Sequence, residues 1–115
     1  MSGLYDLMMV VRELAEITSR VLSSLGEPTM QALFWELNSQ GVATSPEEFD
    51  IRKFDIELRK IFGDGANVFM EEIYSQFREQ VEGETRNKEH LVEIDNAEIS
   101  PIDRIQRILA LKVMT

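Results

Sequence analysis

The chain has 115 residues, no cysteine, one histidine, and a formal net charge of −9 from 21 acidic and 12 basic side chains. That length suits one domain able to bury a core without staples, and the missing thiols exclude disulfides, thiolate metal sites and a cysteine nucleophile. The acidic balance works against nucleic acid as a partner, because affinity for a phosphate backbone comes from counterions released by Lys and Arg.

The opening MSGLYDLMMVVRELAEI carries Asp6 and no base before Arg12, so it lacks the basic lead of a signal peptide. No apolar run reaches the roughly 20 residues a membrane span needs, so no membrane partner and a cytoplasmic home are expected. A first helix is predicted from about Gly3 to Leu25, stopping at Gly26 in a left-handed C′ position. Leu4, Leu7, Val11, Leu14, Thr18, Val21 and Leu25 recur at alternating three- and four-residue spacing, an a/d register with one polar member. Met8, Val10, Ile17 and Leu22 widen that stripe. Such width suits packing on the chain's own domain with one side and on a partner with the other.

Pro28 suits a first helical turn, which predicts a second helix over Pro28 to Ser39 with Met30, Leu33, Phe34 and Leu37 on one face and Trp35 off it. In TSPEEF, Ser45 and Glu48 have capping-box spacing with Pro46 at the first helical position, and Asp50 offers a second cap. From there Ile51, Phe54, Leu58, Ile61 and Phe62 recur at helical spacing. The next helix follows GDG with a stripe of Ala66, Phe69, Ile73 and Phe77, widened by Met70 and Tyr74.

Residues 79–99 read as an acidic connector within the single domain 1–115, with HLVEI able to extend as a short edge strand. Helix resumes at Ser100, where Pro101 and Asp103 complete a Ser-x-x-Asp cap, and Ile102, Ile105 and Leu109 form the last stripe. The fold class expected is all-α, a compact bundle of about five helices.

Asp64-Gly65 followed by Glu71 has the spacing of the second half of a calcium loop, but that alignment puts Lys60 and Phe62 at ligand positions. Neither side chain coordinates calcium. The expected role of Gly63, Asp64 and Gly65 is therefore a turn, with Gly63 and Gly65 supplying backbone freedom and Asp64 capping the next helix. His90 stands alone, which excludes any two-histidine metal set. Glu47 with Glu48, and Glu71 with Glu72, point about 100° apart on a helix and do not converge. No catalytic residue, metal or cofactor is expected, and a non-enzymatic role is favoured over a small carboxylate-dependent enzyme.

LSSLGEPTMQALFWEL followed by PEEFDIRKFDIELRKIFGDGANVFMEEIYSQF resembles a small family of archaeal signalling output domains, the Nitrosopumilus output domain type. The likeness runs over about residues 20–80 and rests on Leu25-Gly26, Leu33, Leu37, the PEEF start, Ile61-Phe62-Gly63 and Gly65-Ala66. The turn around Asp50 to Phe54, the acidic stretch and the last helix depart from that pattern. The resemblance implies a helical output or interaction module in an archaeal cytoplasm, with no catalytic residues to transfer.

The functional expectation is a module that forms a homodimer or docks to a signalling or transcription partner. Its contact residues would be Leu4, Leu7, Val11, Leu14, Thr18 and Val21 with Ile102, Ile105 and Leu109. A DNA-binding regulator is the alternative, disfavoured because the helix after GDG offers Glu71 and Glu72 before its first base, Arg78.

Overall fold

The structure, a computed structural model, describes residues 3–42, 45–84 and 88–114, with side chains from residue 8 to residue 112 within them. Helix α1 covers Gly3–Leu22 and closes on a 3-10 turn, Ser23–Leu25. Helices α2 (Glu27–Ser39) and α3 (Ile51–Phe62) follow, then a second 3-10 turn, Gly63–Gly65. The chain continues through α4 (Ala66–Glu82), α5 (Lys88–Asn96) and α6 (Pro101–Met114). Among the described residues there is no strand, and the fold is an all-α bundle.

Helices α1, α4 and α6 pack on one another pairwise, α3 lies on α4 and α6, and α5 closes over α4 and α6. Their apolar faces meet in one core in which Leu14, Ile17, Leu22, Phe54, Met70, Ile73, Phe77, Ile105 and Ile108 are buried. Each such side chain taken out of water contributes about 1.5–3 kcal/mol before entropy is counted. Among the described residues the two buried polar side chains are satisfied locally: Thr18 Oγ1 donates to the Leu14 carbonyl at 2.8 Å, and Asp55 accepts from Arg59 Nε at 3.1 Å.

Punctuation follows the sequence with corrections. Gly26 ends the α1 segment at φ 87, yet its ψ of 152 takes it out of the left-handed helical well and into an extended conformation only glycine adopts readily. Ser45 to Glu48 forms a turn, closed by the Glu48 amide on the Ser45 carbonyl at 3.2 Å, and does not begin a helix. The operative cap is Asp50, whose carboxylate accepts from the amides of Arg52 at 3.0 Å and Lys53 at 3.2 Å. Its extended φ of −122 directs the chain away from the helix axis, so the preceding turn cannot run on into α3.

In the GDG turn the positive φ belongs to Gly63, at 58, whereas Gly65 is helical at φ −61. Asp64 makes no side-chain cap to α4. The acidic stretch is also more ordered than a connector: α4 extends to Glu82, and HLVEI lies in α5, where Leu91 and Ile94 at i and i+3 are buried. A helix wins over a strand there because the surface offered by α4 and α6 takes a one-sided stripe, and the bundle presents no sheet edge. The α6 start is as expected, with the Asp103 amide donating to Ser100 Oγ at 3.3 Å.

Candidate functional site

Burial divides the residues expected to form an interface. Leu14, Thr18, Val21, Ile102 and Ile105 lie in the chain's own core, with Ile108 filling the α6 position beside them. Helix α6 packs on α1, and these five side chains are buried between the chain's own helices. Val11 and Leu109 are half-buried. Leu4 and Leu7 belong to α1, but their side chains lie outside the described residues.

Val11 and Leu109 meet in a groove of about 390 Å³. Helix α1 contributes Met8, Val11 and Leu14 to it, the turn before α3 contributes Glu47, Glu48 and Phe49, and Gln106 with Leu109 comes from α6. The cap at Asp50 fixes this wall, because it sets the angle at which Phe49 enters. Phe49 in turn leans on core residue Phe54 with ring centroids 5.7 Å apart. A second hollow of about 420 Å³, lined by Met8, Met9, Arg12 and Glu47, continues the first across Met8 and Glu47. Met8 is 58% exposed and Met9 45%. Arg12 Nη2 lies 2.7 Å from Glu47 Oε1, an exposed pair that ties α1 to the turn and contributes at most about 1 kcal/mol.

The other notable cluster joins α4, α5 and α6. Asp95 of α5 accepts hydrogen bonds from the Tyr74 hydroxyl and from Arg78 Nε at 2.9 Å, and Arg78 also pairs with Glu82. Arg104 of α6 lies over the Tyr74 ring at 5.6 Å and donates to the Ala97 carbonyl at 3.0 Å. Burial alone would raise the Asp95 carboxyl, but the hydrogen bonds from Arg78 and Tyr74 outweigh it and hold the group below the ordinary carboxylate value. Burial first, and then the hydrogen bond to Asp95, push the Tyr74 phenol well above its ordinary value. The contacts of Asp95 with the Tyr74 hydroxyl and the Arg78 guanidinium clamp α5 onto α4.

Glu71 and Glu72 are exposed, with Glu71 3.8 Å from Arg104. His90 is exposed on α5, and Trp35 on α2 is 71% exposed. Gly63, Asp64 and Gly65 form an exposed turn, and among the described residues no three His, Asp or Glu side chains are placed to hold a metal ion. None of the described helices is long and apolar enough to cross a membrane.

The sequence reading missed Met9 and Phe49 as parts of one surface, and Tyr74, Arg78 and Asp95 as one cluster. For the groove a signal did exist: Met8 and Val11 fall beside the Val10, Leu14, Ile17 face of α1, so they belong to its flank. Comparison with protein-family models, with characterised proteins and with solved structures gives no match to this chain.

Proposed function

We propose that the protein is a non-enzymatic helical interaction module and that the groove between α1, the turn before α3 and α6 is where it receives a helix. The observation that carries this reading is a run of apolar surface from Met9 across Met8 and Val11 to Phe49 and Leu109, gathered in two adjoining hollows, whereas Trp35, Ile56, Ile61, Val68 and Val92 are exposed on other elements. Open apolar surface of that kind is retained where it is covered part of the time. An output role in signalling or transcription, implied by the output-domain resemblance, belongs to the same proposal.

A second copy of the chain is the other occupant to consider. It is supported by the α1 register, since Leu4 and Leu7 continue the spacing of Val11 in the sequence.

A synthetic amphipathic peptide with apolar residues at i, i+4 and i+7 tests the reading. Titrated into labelled protein, it should move the backbone amide resonances of Met8, Met9, Val11, Phe49 and Leu109 most. Absent or evenly scattered changes would contradict it.

A further inference from the structure

We infer that the groove takes a basic amphipathic helix presented by a partner protein, which rests on the interaction reading above and specifies the occupant. The groove is apolar at its base, where the half-buried Val11, Phe49 and Leu109 lie over the core residues Leu14 and Ile51. Its polar lining is one-sided: Glu47, Glu48 and Asp50 carry negative charge, Gln106 is neutral, and no cationic side chain among the described residues lines it. Arg12 stands in the adjoining hollow and is held by Glu47, Asp50 caps α3, and Glu48 makes no ion pair among the described residues. The rim therefore presents negative charge to whatever sits on the floor.

An occupant with Lys and Arg flanking an apolar stripe satisfies both parts, its stripe on the floor and its cations at the rim. A second copy brings its own −9 toward the same rim. Met8 and Met9 at the open side suit a helix of variable sequence, because an unbranched thioether side chain repacks easily around different apolar residues. Long-range attraction between the acidic molecule and a cationic helix raises the rate of encounter as well.

The test uses three fluorescent synthetic helices titrated with the full chain and followed by anisotropy. The first carries Lys and Arg beside a Leu stripe, the second carries Glu in their place, and the third has the basic composition with its stripe scrambled. The basic helix should bind at least about tenfold more tightly than either other peptide, and it should weaken between roughly 0.1 M and roughly 0.5 M salt. Glu48→Lys, at an exposed position outside the core, should weaken the basic helix several-fold while leaving the melting curve unchanged.

Equal affinity for basic and acidic helices would overturn the charge assignment and leave the groove reading intact. Equal affinity for the scrambled peptide would place binding off the groove and overturn the inference. If no peptide binds and the protein forms a dimer that Met8→Glu dissociates, the occupant is a second copy and the inference fails. If no peptide binds and the protein does not self-associate, both the inference and the interaction reading fail.

Discussion

Gly63 and Gly65 stand two residues apart in one turn and place opposite demands on the side chain. Gly63 has φ 58 and ψ −133, outside the region that residues with a Cβ reach without strain, although a Cβ there would meet nothing within 4 Å. Gly63→Ala should therefore destabilise by about 1–2 kcal/mol through backbone conformation alone. At Gly65 the backbone is helical and an added Cβ would sit 3.7 Å from Phe62 Cβ, an ordinary contact. Gly65→Ala should be neutral or stabilise by up to about 1 kcal/mol, because it removes freedom from the unfolded chain. Urea unfolding of both variants checks the pair, and equal losses would show that the turn is not limited by φ. The sequence pointed to a glycine-dependent turn but not to which glycine, since φ at each position is set by how α3 and α4 dock and not by the letters GDG.

The docking of α5 is the least legible element and the one most dependent on a few contacts. Its nine residues offer Leu91 and Ile94 to the core, and the Asp95 contacts with Tyr74 and Arg78 hold its end. In isolation KEHLVEIDN satisfies a short strand as well as a short helix. The deciding contacts come from Tyr74, 21 residues away, and Arg78, 17 residues away. By contrast α1, α2, α3, α4 and α6 could be read locally, from stripes at helical spacing and from Gly26, Asp50 and Ser100 at their ends.

Asp95→Asn should cost about 1–3 kcal/mol, since it removes one of the two carboxylates paired with the half-buried Arg78 and leaves only Glu82. The loss should be concentrated in α5, as faster amide exchange there than in α1. The pH dependence follows the same contacts. Asp95 is held below its ordinary value, so its stabilisation is complete above the carboxylate range and disappears as pH falls below 3.8 through the depressed folded value. Tyr74 is held above its ordinary value, so its contribution is complete below pH 10.0 and declines as pH rises beyond it. Thermal melts across pH should show both limbs. Tyr74→Phe should remove the alkaline one, and persistence of that limb would assign it to other groups.

At the scale of the whole molecule, the α1 stripe is divided between two jobs. Its middle, through Leu14, Ile17 and Val21, is core, and its flank, through Met8 and Val11, is groove wall. That division was not readable from the register, because it depends on how far α6 covers α1. It follows that Leu14→Glu should unfold the chain, with a loss of at least about 3 kcal/mol for an unpaired charge in the core. Met8→Glu should change stability by less than about 0.5 kcal/mol, as surface substitutions do. In sedimentation over a tenfold concentration range, the basic-partner account predicts a 13.3 kDa species throughout, while pairing of two copies predicts a rising mass that Met8→Glu abolishes.

Binding by the groove, as distinct from binding by any exposed apolar residue, can be tested with two exposed positions. Met8 is 58% exposed at the groove, and Val68 is 72% exposed at the start of α4, outside it. The affinity of the basic amphipathic peptide should be measured for the wild-type chain, Met8→Glu and Val68→Glu, with circular dichroism confirming that all three are folded. The account predicts a loss of at least about tenfold for Met8→Glu and less than about twofold for Val68→Glu. Equal losses in the two variants, or none at Met8, would contradict it.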